Sequence, residues 1–507
     1  MVSAVKPFFD PAACSTKPHE KICTHSLHLP INYPFCGSST QGPSLETLLS
    51  KLPKRAILEC FVTSFTCTVE RAFHSLDTTT FQQGLDQYWN DKSLVDDDWM
   101  AYFLLVLALG CQAHNSAATP GLEAYQSLPS LLLHAAELCL MRTPFMLRPT
   151  TNTIRALCLM VIAKQIYAMS CHASDTCWPL MGLIYRLAIA MGLNNPVATG
   201  NLPSHDIRSR ERLWRVIVLL EIRQSINCGM PLLLTKDDLQ PRTSHNPVLD
   251  VGTSECSAQE ADDQVFLLEE VLCQSFPTLL RVFELAGSTK NHVAYEEIVE
   301  LDADLRRCLR RPDMTLGILQ SSSILEHPGS FDDLEVSMLD VLLRRALLVL
   351  HSPYALQPHS SIDHPLSYIS SLESSLAILS HQRNLCEAGT SQRENTWFAG
   401  LFREEFFTAA MTICSLMVHT NTNLETSSDC KCQMGARQIV LQALQSCRDL
   451  WSREKHASVC NAHAFQILDK LIAHLQGIGR GNLSGLGCPV MTPEAIPRSN
   501  ETLSADP

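Results

Sequence analysis

The residues of this chain that could do chemistry are its clustered carboxylates, its cysteines and a few histidines. Three aspartate pairs, Asp96-Asp97, Asp237-Asp238 and Asp332-Asp333, supply the first half of a magnesium-diphosphate motif. Magnesium around a diphosphate needs a further carboxylate one helical turn on. The residues there are Met100, Pro241 and Val336, so terpene synthase chemistry is excluded. His205-Asp206 has the order of a metal phosphohydrolase dyad, but no partner histidine motif accompanies it. Capping of a helix start by Asp206 is the better account. No G-x-S-x-G nucleophile elbow occurs. Gly477, Gly479 and Gly481 follow a helical pattern, where a dinucleotide fingerprint would follow a strand. The closest cysteines, Cys430 with Cys432 and Cys171 with Cys177, read as unpaired thiols. No catalytic, cofactor-binding or metal-binding set emerges, and the expectation is that the chain is not an enzyme.

Composition narrows the class further. Of 507 residues, 46% are hydrophobic and 18% charged, enough apolar surface for a sizeable core. The net charge of −13 argues against a body that wraps nucleic acid by itself, because such binding neutralises phosphates with Lys and Arg. The 21 cysteines are mostly inside apolar runs, as at Cys111, Cys139, Cys158, Cys273 and Cys414, where a thiol behaves as a small hydrophobe. A reducing compartment follows. Pro7, Asp10 and Pro11 interrupt any secretory signal, and the longest apolar run, Trp99 to Ala113, is too short to span a membrane. That run reads as a buried helix capped by an aspartate.

The elements that position the polar residues are helical throughout, and the expected class is all-α. The central stretch is Trp178–Pro241. A first helix runs to Met191 and stops at Gly192, which can take the left-handed C′ conformation. A second opens after Pro203-Ser204, with Ser204 or Asp206 as cap, and stops at Gly229 before Pro231. Between Leu213 and Ile222 only Arg215 and Glu221 are polar, the mark of a helix buried on most sides. Trp214 is therefore expected in the core, with Arg223 at the edge between buried and exposed faces. Glu211 precedes Arg215 in the favourable order for an intrahelical pair.

In this stretch, Arg208, Arg210, Arg212, Leu213-Trp214, Glu221, Arg223, Ser225, Gly229, Pro231 and Asp237-Asp238 together resemble the middle homology region of fungal-specific transcription factors. Gly182, Arg186, Ala188 and Gly192-Leu193 fit the preceding helix of that family. Met230 stands where an Arg is common, and Asn194 where a His is common. A second echo is V-L-L-R-R-A-L-L-V-L-H-S-P-Y-A, carrying His351, Pro353 and Tyr354. A weaker one is A-F-H-S-L-D-T-T-T-F.

Along the chain, residues 1–43 are expected to be a disordered segment, 44–476 one helical regulatory body, and 477–507 a disordered tail. Exposed loops are expected at 242–260 and 313–332, the second following a helix closed by Pro312. Lys54 to Val69 reads as one helix, with Phe61, Phe65 and Val69 on its inner face. Arg306, Arg307, Arg310 and Arg311 read as a solvated helix end, with Asp302 placed to pair with Arg306.

The resemblance implies a nuclear regulatory body that governs transcription, here of a secondary-metabolite biosynthetic gene set. Its implied partners are a DNA-bound transcription factor or coactivator, a homo- or heterodimer mate, and a small-molecule ligand. The family's binuclear zinc cluster needs C-x2-C-x6-C with interleaved Lys and Arg, because zinc thiolates converge at about 2.3 Å. Cys14, Cys23 and Cys36 are spaced too widely, and the first fifty residues hold only Lys6, Lys17 and Lys21 as basic residues. Specific DNA binding by the chain itself is therefore not expected, nor is membrane association. The competing reading is a helical small-molecule sensor or scaffold without a transcriptional role.

Overall fold

The computed structural model describes residues 44–116, 125, 127–166, 176–195, 202–239, 272, 274–286, 294–322, 331–387, 396–421, 430–455 and 459–478. Among them there are helices and connections but no strand. The N-terminal half holds α1 (Leu45–Leu49), α2 (Arg55–Cys67), α3 (Val69–Phe73), α4 (Thr78–Asn90), α5 (Asp97–Ser116), α6 (Leu128–Arg142), α7 (Thr151–Ile166), α8 (Cys177–Ala190) and α9 (Ser204–Cys228). Residues 274–286 form a further helical run. The C-terminal half holds α10 (Tyr295–Ser322), α11 (Phe331–Ala355), α12 (Ser360–Asp363), α13 (Pro365–Glu387), α14 (Thr396–Leu401), α15 (Arg403–Asn421), α16 (Cys430–Glu454) and α17 (Val459–Ile478).

Each half is packed around one central helix. In α5 all residues from Trp99 to Cys111 are buried, and α2, α6 and α7 surround it. A helix without a polar face has to be enclosed. Phe61, Phe65 and Val69 point at it from α2 and α3 and are fully buried, as their spacing predicts. At Gly110 a Cβ would collide with the backbone carbonyl of Phe61, so glycine is what lets α5 approach α2 this closely. In α13 the enclosed faces are made of Ser367, Ser370, Ser371, Ser374 and Ser375, all buried, with α11, α15 and α16 around them. Contacts of α14 with α7, and of α9 with α11, join the halves into one hydrophobic core.

Several boundaries differ from the sequence reading. The helix expected over 54–69 breaks at Thr68, whose backbone (φ −126°, ψ −81°) separates α2 from α3. Its hydroxyl instead returns to the Ser64 carbonyl. The loop expected at 313–332 is corrected: α10 continues through Pro312 to Ser322, and α11 already includes 331 and 332. A proline removes one i→i−4 hydrogen bond, which a helix with strong formers such as Leu309, Arg310 and Met314 on both sides can absorb. The arginines 306–311 accordingly lie within α10 and not at its end. Helicity also runs through Pro277. The cap expected from Ser204 or Asp206 is absent: α9 has Pro203 at its N-cap and no side-chain cap bond. Gly477 lies inside α17, while the expected loop at 242–260 and the tails 1–43 and 479–507 fall outside the described residues. Among the described residues no helix is long and apolar enough to cross a membrane.

Candidate functional site

The most ordered polar arrangement lies where α8, α9 and the return segment after Gly229 meet. Gly192 and Gly229 end these helices with φ of 67° and 65°, left-handed values that a glycine adopts without a Cβ clash. Past Gly229 the chain doubles back along α9. The buried Glu221 carboxylate meets it there, accepting from the Leu233 N–H at 3.0 Å and from Ser225 Oγ at 3.3 Å. Burial pushes this carboxyl up, and the two donors draw it back in part.

The segment closes on Asp238. Its Oδ2 accepts from Tyr185 Oη on α8 at 2.9 Å, and from both the N–H and the hydroxyl of Thr235 at 2.8 Å. Trp214 Nε1 donates to the Asp238 main-chain carbonyl at 3.0 Å. Trp214 is buried at 3% exposure, as expected, with its ring 5.9 Å from that of Tyr185. One aspartate thus fastens α8, α9 and the loop together through three different kinds of donor. Pro231 is exposed and closes the turn by being unable to extend the helix, and Arg212 is half-buried on α9. For Asp237 only the backbone, in a short 3-10 turn (Lys236–Leu239), is described.

Arg223 is a correction. It does not sit at an exposed edge but is 1% exposed, among the largest fully buried side chains. Its Nη2 donates to Glu405 Oε1 and to the Leu401 carbonyl, both at 2.9 Å, and its guanidinium lies 4.7 Å from the Phe402 ring centre. Asn227 also donates to Glu405, at 3.1 Å. Nothing beside Arg223 in sequence signals this, because the partner lies far along the chain. The available signal was Glu405 itself, a carboxylate between Phe402 and Phe406, which a core tolerates only when paired.

His351 is fully buried, with Nε2 donating to Asp302 Oδ1 at 2.9 Å and Nδ1 3.0 Å from Ser367 Oγ. Asp302 also accepts from Ser370 and from Arg306, each at 2.8 Å, so the expected Asp302–Arg306 pair forms. Pro353 lies in the last turn of α11 and its carbonyl accepts from Gln357. Sequence reading missed Asp77, which caps α4 through the Thr80 N–H and stands 3.2 Å from His205 and 3.9 Å from the buried Arg155. It also missed the buried Lys164–Glu137 pair at 3.3 Å. His205 is therefore a surface partner of Asp77 and Asp206, not half of a metal dyad. Among the described residues no group of three or more His, Cys, Asp or Glu could hold a metal.

These contacts tie helices to one another across the core, although Glu221 Oε2, Arg223 Nε and Glu405 Oε2 are buried without a hydrogen-bond partner. The same stretch carries the likeness to known proteins. Residues 69–256 match the fungal specific transcription factor domain. Over those residues the chain is similar to that domain. Within the matched residues lie the Asp238 fastening, Glu221 and Arg223, while Glu405, His351 and Pro353 lie beyond them, so the partner of Arg223 comes from a later helix. The chain is similar to the transcription factor lepE of Aspergillus flavus, 23% identical over 382 residues, covering 74% of this chain and 45% of that protein. It is similar to the Zn(2)-C6 fungal-type transcription factor mpsB of Macrophomina phaseolina, 23% identical over 483 residues, covering 87% and 63%. The aspyridones cluster regulator apdR of Emericella nidulans is 22% identical over 366 residues, covering 66% and 46%. The chain spans about half the length of the curated relatives it matches. No two of the 21 cysteines of this sequence stand in C-x2-C spacing.

Proposed function

We propose that this protein is a nuclear regulator of transcription that controls a secondary-metabolite biosynthetic gene set. The observation that carries the reading is the match to the fungal specific transcription factor domain at 69–256, with its Asp238, Glu221 and Arg223 side chains engaged as parts of one body. Names such as aspyridones cluster regulator among the relatives support the choice of target genes. The acidic balance and the unsuitable cysteine spacing favour action through a DNA-bound factor or coactivator, because duplex binding depends on cationic side chains.

Two measurements test this. Deleting the coding sequence is expected to change transcripts of a small, clustered gene set under metabolite-producing conditions, and an unchanged transcriptome sinks the regulatory reading. The purified 507-residue chain is expected to leave no footprint on those promoters at physiological salt with competitor DNA, although chromatin immunoprecipitation recovers them. A footprint by the purified chain alone would transfer the mechanism to direct binding.

A further inference from the structure

Helices α10, α11 and α13 leave between them an open cleft of about 600 Å³. That is within the range of small-molecule sites. Its apolar lining includes Leu309, Leu339, Leu343 and Ala377. Its polar lining is a chain of ion pairs. Glu373 accepts from Arg306 at 2.8 Å and lies 4.0 Å from Arg344. Asp340 accepts from Arg344 and from His381, both at 2.7 Å. Each carboxylate is thus bracketed by two basic side chains.

Arg310 stands outside that chain. It lines the cleft and is exposed, and its Nε donates to the Arg306 backbone carbonyl at 3.3 Å. No carboxylate lies within ion-pair distance of it among the described residues. Arg344 uses Nε toward Asp340 and has Nη1 4.0 Å from Glu373 Oε1, so its Nη2 is the next donor available. An entering cation would meet only carboxylates already engaged. An entering anion would meet an uncompensated guanidinium beside an apolar floor.

We infer that this cleft binds an amphipathic organic anion, with its apolar body on the half-buried Leu309, Val336 and Ala377 and a carboxylate or sulfonate held by Arg310 and Arg344. A planar guanidinium offers such a head group two parallel N–H donors. The inference goes beyond the transcriptional reading and does not depend on it, because binding is measured on the purified chain with no gene involved.

The test is a fluorescence titration of the full chain with 8-anilinonaphthalene-1-sulfonate, which carries an apolar body and a fixed negative charge. One saturable site is expected, from which decanoate displaces the probe and decyltrimethylammonium at equal concentration does not. Arg310→Glu is expected to weaken the probe at least tenfold while leaving the melting temperature unchanged, since Arg310 is exposed. Ala377→Phe, which fills the floor, is expected to abolish binding; its melt is run alongside. Absence of saturable binding, displacement by the cation as readily as by the anion, or an unchanged affinity in Arg310→Glu would overturn the assignment. Should Ala377→Phe unfold, the charge variant and the two displacers still decide.

Discussion

Trp214 and Arg223 lie on one helix and are both buried, yet their loss should have different consequences. Trp214→Ala removes a core indole together with the donor to the Asp238 carbonyl. A truncation of that size costs about 3–5 kcal/mol. Trp214→Phe keeps most of the packing and leaves only the carbonyl unpaired, a loss of about 1–3 kcal/mol. A urea denaturation series on both variants checks the order, and equal midpoints would mean that the hydrogen bond contributes nothing. Arg223→Ala leaves Glu405 buried without its strongest partner, an arrangement that costs about 3–5 kcal/mol. Replacing both, Arg223→Met with Glu405→Leu, should recover much of that stability, because paired burial of charge is itself expensive. If the double variant is no more stable than Arg223→Ala, the pair is not the reason for the loss.

At the scale of elements, glycine separates close packing from backbone conformation. Gly229 has φ 65° with open space around a would-be Cβ, so Gly229→Ala should cost only about 1 kcal/mol, from the left-handed backbone. Gly110→Ala meets backbone, not a movable side chain, and α5 must separate from α2. Thermal melts are expected to place Gly110→Ala well below Gly229→Ala. The helices themselves were legible in sequence wherever apolar spacing was strong, as for α5, α8 and α9, and so were the stops at Gly192 and Gly229. The continuation of α10 past Pro312 was not, because a proline reads as a local stop while the cost of one missing bond depends on the rest of the helix. The fastening at Asp238 was legible only as a motif. Its chemistry depends on Tyr185 and Trp214 arriving from two other directions, and periodicity carries no information about that. The burial of Arg223 was misjudged for the same reason.

For the molecule as a whole, acid should be a stronger perturbant than the modest charge suggests. Burial acts to raise the Asp302 carboxyl, but hydrogen bonds from His351 and Ser370 and the charge of Arg306 outweigh it and hold it below the usual range. Asp340 is held down likewise, by His381 and Arg344 against burial. A carboxylate whose folded value is depressed contributes stability above its unfolded value of about 3.9, and that contribution is lost as pH falls toward the folded value. Denaturant midpoints are therefore expected to drop steeply as pH falls below about 4, and Asp340→Asn should flatten that drop. A midpoint independent of pH between neutrality and 3 would contradict the assignment of these two carboxylates.

The Arg223–Glu405 pair has one more consequence, which belongs to synthesis. Its two residues are 182 positions apart. At roughly 5–20 residues per second, the ribosome delivers Glu405 about 10–40 s after Arg223. Throughout that interval the most conspicuous cation of the nascent core has no counter-charge to close on, and α9 cannot complete its burial. The packing of α5 with α2, α6 and α7 needs nothing from the later chain, so the face of α9 that bears Arg223 is the last part of the N-terminal half to close.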